Sequence, residues 1–210
     1  HVSGAMYFDS VGENFDGNPH MDISSVEVTD DGVDITFKIS VSAANINSPD
    51  WGKYTVGIST SNATGDFGSP VGNPWGRNIR MADGMDAWIG SWVDGTTGFQ
   101  AWSYSGGSWS QNASGTPAIS GNMLSITTSL ASLGLSPNQT FQFDVYTTGG
   151  GGGDSANDAA ANPNQTGAGW QDPYSTPSGE GLFYTTIPEP ASIVLLGLAA
   201  FAMLGVRRRK

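Results

Sequence analysis

Apolar and polar residues alternate along much of the chain. Val33, Ile35, Phe37, Ile39 and Val41 are interleaved with Asp34, Thr36, Lys38 and Ser40, the period-two pattern of a strand with one buried face. Ser24, Val26 and Val28 give the preceding stretch a weaker stripe, and Asp30-Asp31-Gly32 supplies a turn whose glycine accepts positive φ. A hairpin over 21–41 follows. Tyr54, Val56 and Ile58 mark the next strand. A second hairpin pairs Met85–Val93 with Phe99–Tyr104 across Asp94–Gly98. With Val93 opposite Phe99, Trp92 faces Gln100 and Trp88 faces Tyr104. One face then carries Trp88, Trp92, Trp102 and Tyr104, with Asp86 and Asp94 at its ends. The other carries Ala87, Ile89, Val93, Phe99 and Ala101, and only one of the two need be core. Thr140–Thr147 places Phe141, Phe143 and Val145 inward and Gln142, Asp144 and Tyr146 outward. Shorter strands are predicted at Ser108–Gln111, Met123–Thr127 and Gly181–Thr186, with a helical turn within Ser129–Leu135. The whole predicts an all-β, antiparallel, jelly-roll-like β-sandwich over 1–187.

The alternation stops at Ile187. Pro188-Glu189-Pro190 is followed by a charge-free apolar run, Ala191–Val206, and then Arg207, Arg208, Arg209 and Lys210. As a helix the run spans roughly 24–27 Å, near the thickness of a bilayer core, and the terminal cations hold its end on the cytoplasmic side. A single C-terminal transmembrane helix is predicted, and 188–210 is read as a unit separate from 1–187.

This order of Pro-Glu-Pro, short apolar helix and terminal arginines resembles the PEP-CTERM sorting signal. The resemblance implies export and transient anchoring in the inner membrane of a Gram-negative-type bacterium. It further implies processing by an exosortase-type transpeptidase and delivery to the cell surface or to the exopolysaccharide of a biofilm. It assigns recognition to Pro188, Glu189 and Pro190 and anchoring to the apolar run with Arg207, Arg208 and Arg209. Such tails occur on unrelated ectodomains, so the tail gives an address and leaves the activity open. Export also implies a leader peptide, expected to have been removed or omitted ahead of His1.

Charge narrows the partners. Setting aside Glu189 and the four terminal cations leaves eighteen acidic residues against Lys38, Lys53, Arg77 and Arg80, a balance of −14 compared with −11 for the whole chain. Nothing basic is gathered to neutralise phosphates, which argues against nucleic acid. There is no cysteine, and His1 and His20 are the only histidines. Disulfides, thiolate chemistry, His-based zinc sites and a Ser-His-Asp triad are therefore disfavoured. No catalytic motif is found, and the reading is non-enzymatic.

The segment from Asp9 through Asp16 to Asp22-Ile23-Ser24-Ser25-Val26, followed by Asp31-Gly32-Val33-Asp34-Ile35-Thr36-Phe37, resembles the opening of family 9 carbohydrate-binding and DOMON-like β-sandwiches. That resemblance implies a sugar site on one end or face and calcium ions bracing the loops. From the residues themselves, Trp88, Trp92, Trp102 and Tyr104 form a candidate sugar-stacking ladder with Asp86, Asp94 and Gln100 as hydroxyl partners. The alternative is that the same ladder packs in the core. Trp51, Trp75 and Trp170 lie in loop-like stretches and are further glycan candidates. Asp9, Glu13, Asp16 and Asp22 form one candidate calcium site and Asp154 with Asp158 a second, because hard oxygen ligands without histidine or cysteine suit calcium. Three activities remain open: non-catalytic binding of an extracellular polysaccharide, a purely structural matrix role, and glycoside hydrolysis by a carboxylate pair.

Overall fold

The computed structural model describes residues 3–46, 51–60, 69–164 and 166–188. The predicted transmembrane helix, with Glu189, Pro190 and the arginine cluster, lies outside them. Among the described residues, no helix is long and apolar enough to cross a membrane.

Two sheets share one core. The first runs in the order β1 (Ser3–Phe8), β2 (Ile23–Asp30), β3 (Asp34–Val41), β10 (Met123–Ser129) and β9 (Ala118–Ser120). The second is built on β11 (Thr140–Thr148), β4 (Lys53–Ser59), β6 (Ala87–Trp92), β7 (Gly98–Ser105) and β8 (Ser108–Gly115). Two short strands share the outer edge of β11: β14 (Leu182–Thr185) pairs with its first half and β12 (Ala156–Ala159) with its second. Pairing within both sheets is antiparallel. The alternating residues meet between them: Val26, Val28, Phe37, Ile39 and Ile126 from one sheet face Val56, Ile58, Ile89, Phe143 and Val145 from the other. The first hairpin forms as predicted, with Gly32 at φ 87°. Val33, expected in the stripe, is 55% exposed because it belongs to the turn.

The outer face of the second sheet differs from expectation. A small parallel pair, β5 (Ile79–Met81) with β13 (Tyr174–Thr176), packs over it. It closes a second core of Ile79, Met81, Met85, Trp88, Tyr146, Ala156, Ala159 and Tyr174. Both faces of β4 and β11 are consequently buried, including Gln142, Asp144 and Tyr146, which alternation alone had turned toward solvent. Asp144 is fully enclosed and accepts from Thr176 Oγ1 (2.7 Å), Val145 N and Ala161 N. Thr176 Oγ1 in turn lies 2.7 Å from the Tyr146 hydroxyl. Burial lifts the Asp144 carboxyl to about 7.

The second hairpin is offset by two residues from the predicted register: Trp92 pairs with Gly98, Gly90 with Gln100 and Trp88 with Trp102. A shift of two preserves which face each side chain occupies, so the aromatic face survives with new neighbours. At the C-terminal end, the Tyr184 hydroxyl donates to Asp30 Oδ2 (2.6 Å) and Ile187 N donates to Asp30 Oδ1 (3.0 Å). Asn138 N donates to Ile187 O (3.2 Å), so the fold is pinned up to the residue before Pro188.

Candidate functional site

Glycines at strand positions seat the tryptophan rings. A side chain at Gly90 would overlap the Trp75 indole, and one at Gly98 would overlap Trp92. Trp75 therefore lies flat on β6, its Nε1–H donating to Gln100 Oε1 (3.0 Å) and its ring 6.3 Å from both Trp88 and Trp92. Glycine within a strand often marks such close approach, and the sequence Trp88-Ile89-Gly90-Ser91-Trp92 carries that signal. The Arg77 guanidinium sits 5.9 Å from the centroid of the Trp75 ring.

The predicted ladder divides. Trp88 is fully buried, stacked against Tyr146 at 6.4 Å. It belongs to the second core and is corrected from platform to packing residue. Trp102 is half-buried against the same core with its indole N–H sealed. Tyr104 packs edge-on against Trp109 at 5.5 Å and, with Asp86, lines a recess of about 240 Å³ at the far end of the strands. Asp86 accepts from Thr60 N, Thr60 Oγ1 and Ser69 Oγ.

Trp92 instead joins the loop tryptophans. Its strand neighbour Lys53 bonds Trp51 O (3.1 Å) and forms an ion pair with Asp94 (2.7 Å). Trp51 lies 5.8 Å from Trp170, and Gly149, which follows β11, approaches the Trp170 ring closely. Trp51, Trp75, Trp92 and Trp170 are each half-buried, and Lys53 joins the Trp51–Trp170 contact to the Trp75–Trp92 contact. Behind them, Phe15 packs on Trp170 (4.8 Å) and His20 on Trp51 (4.9 Å).

The loop that carries Phe15 and His20 also carries the acidic residues. Asp9, Glu13 and Asp158 each direct one oxygen to a common point, all within 4.8 Å of one another. Asp158 reaches it from β12, fixed by Ile23 N (2.6 Å) and Ala159 N (2.7 Å). Asp9 Oδ2 and both Glu13 carboxylate oxygens are sealed from solvent without a hydrogen-bond partner. Burial first, and then the neighbouring carboxylates, raise Asp9 to about 8 and Asp158 to about 9, and burial raises Glu13. Asp22 and Asp16 serve the loop beside the cluster. Asp22 accepts from Gly12 N (3.0 Å), and Asp16 from Asn14, Asn18 and Asn157. Asp154 stands apart, holding the glycine loop through Gly151 N (2.7 Å). The two calcium groupings predicted from sequence are therefore redistributed, with Asp158 joining Asp9 and Glu13 while Asp154 does not. Asn157, Arg77 and the ring seats at Gly90 and Gly98 went unread in the sequence.

Residues 186–210 match the PEP-CTERM protein-sorting motif. The chain carries a PEP-CTERM tail. That motif implies an exported protein, held by its C-terminal tail in the membrane until an exosortase-type membrane enzyme processes it. No curated protein and no solved structure matches the chain, and the resemblance of the ectodomain to DOMON-like sandwiches is not confirmed. The PEP-CTERM tail thus accounts for destination, and the activity rests on the geometry of the sandwich.

Proposed function

We propose that this PEP-CTERM protein is a non-catalytic glycan-binding module of the cell surface or exopolysaccharide matrix, with its site at the tryptophan-rich end of the second sheet. The observation that carries this reading is that Lys53, paired with Asp94, bonds Trp51 O and lies opposite Trp92, while the Trp51 ring contacts Trp170 and the Trp92 ring contacts Trp75. Indole faces receive the apolar faces of pyranose rings, and a nearby charged pair supplies a donor and an acceptor for hydroxyls. Asp9, Glu13 and Asp158 are assigned to one calcium ion. The buried carboxylate of Asp158 beside the partly buried Asp9 and Glu13, whose sealed oxygens have no hydrogen-bond partner, suits a hard divalent cation. The ion would tie the loop of Phe15 and His20 to β12, and so stiffen the support beneath Trp51 and Trp170. Hydrolysis is disfavoured, because paired glycosidase carboxylates stand about 5 Å or more apart across an open cleft, whereas these converge behind sealed oxygens.

Complete burial of Trp88 favours a second reading, a structural matrix protein without ligand. Polysaccharide pull-down with the full chain in detergent micelles separates the two. Binding that Trp92→Ala abolishes without lowering the melting temperature supports the glycan reading. Absence of binding to every polysaccharide, including the host matrix, supports the structural one.

A further inference from the structure

Of the four cations Lys38, Lys53, Arg77 and Arg80, Arg80 is exposed and Arg77 is partly buried. Lys38 pairs with Glu27 and Lys53 with Asp94, while the Arg77 guanidinium forms no ion pair and donates no hydrogen bond among the described residues. Its Nε and Nη1 are sealed from solvent without a partner. Burial pushes the guanidinium below its ordinary range, although Asp154 and Asp94 act on it from a distance in the opposite sense. Asp94 pairs with Lys53, and Asp154 accepts from the Gly151 amide. The turn that carries it is fixed independently of its side chain: Arg77 N donates to Asn73 Oδ1 (3.1 Å), and Asn73 Nδ2 donates to Arg77 O (3.0 Å). A cation is thereby held against the Trp75 ring, partly stripped of water and without an ion pair among the described residues.

Resting on the glycan reading above, we propose that this end takes an acidic sugar, with a pyranose face against Trp75 and Trp92 and a carboxylate or sulfate on Nη2 of Arg77, the guanidinium nitrogen that is not sealed. A partly desolvated guanidinium gains more from an oxyanion than a hydrated one does, and charge-assisted bonds are the stronger class. The acidic surface of the protein opposes a polyanion only at long range, and at 0.15 M salt that field is screened within about 8 Å.

The test is titration calorimetry on the full chain in detergent micelles at 0.15 M salt. Galacturonate and alginate oligomers are compared with their methyl esters, and dextran sulfate with dextran. The expected result is at least a tenfold preference for the charged member in one arm, and that arm names the oxyanion. Arg77→Gln is expected to erase the preference. Equal affinity for charged and neutral members, or a preference that survives Arg77→Gln, overturns the acidic-sugar inference and leaves the glycan reading standing. If neither charged nor neutral sugars bind, the glycan reading itself fails and the inference fails with it.

Discussion

Replacing Asp144 with asparagine should change how stability depends on pH. In the folded chain the carboxyl titrates at about 7 against 3.8 unperturbed. Between those values the folded state holds a proton that the unfolded chain has released, so stability falls as pH rises across that window and levels off above about 7. Three pH units at 1.36 kcal/mol each amount to about 4 kcal/mol, and the residue is fully enclosed, so no solvent screening reduces the figure. Asparagine is neutral throughout and of the same shape. Its carbonyl can accept from Val145 N and Ala161 N, and Thr176 can reverse its hydroxyl toward Tyr146. Melting followed by near-ultraviolet circular dichroism in chelator, from pH 4 to 8.5, should show wild type and Asp144→Asn close together at pH 4. They should separate by roughly 10 °C at pH 7.5, with the variant higher. Removing this charge also lowers Asp9, which feels Asp144, and that acts in the same direction. A gap that is constant with pH, or that narrows as pH rises, would refute the view that Asp144 is buried at the cost of its charge.

Gly90→Ala should lift Trp75 from its seat and break its bond to Gln100, costing about 1–3 kcal/mol and shifting tryptophan emission to the red. Unchanged emission would mean that the ring is not seated there. Calcium at a hundred times its dissociation constant should stabilise the chain by about 2.7 kcal/mol, a rise of roughly 5–10 °C that chelator reverses and Glu13→Gln abolishes. An identical rise in Glu13→Gln would remove the cluster from consideration. Tyr184→Phe should cost about 1.5–3 kcal/mol in urea unfolding, because it leaves Asp30 short of one donor. A loss below 0.5 kcal/mol, taken as roughly the level of an ordinary surface substitution, would show that the bond is idle.

The inner core was legible because alternation reports one buried face directly, and β2, β3, β4 and β11 carry it from end to end. Alternation cannot say what covers the opposite face. That cover is β5 and β13, three residues each, joined in parallel across some ninety positions of sequence, too short and too distant for any local pattern to announce. Trp88 was thus readable as belonging to an aromatic face, and unreadable as core. The register of the second hairpin slipped for a related reason. Five loop residues were expected with Val93 already paired, whereas pairing begins at Trp92 with Gly98, where the glycine makes room for the indole. The acidic site was half visible. Asp9 and Glu13 are neighbours in sequence, but Asp158 reaches them only through the pairing of β12 with β11.

Asp30 sets where the folded body may safely be cut. Its carboxylate grips Tyr184 from the last strand and the amide of Ile187. The matched sorting motif overlaps these last fastened residues from position 186, and its Pro-Glu-Pro begins at the residue after Ile187, with no slack between. Pro188, Glu189 and Pro190 together extend at most about 11 Å, so an enzyme closing on them works against the surface of the finished sandwich. Severing the chain beyond Ile187 would release a body with its final strand still fastened. Severing it a few residues earlier would strip β14 from β11 and leave Asp30 exposed in the gap, turning a delivery step into an unfolding one.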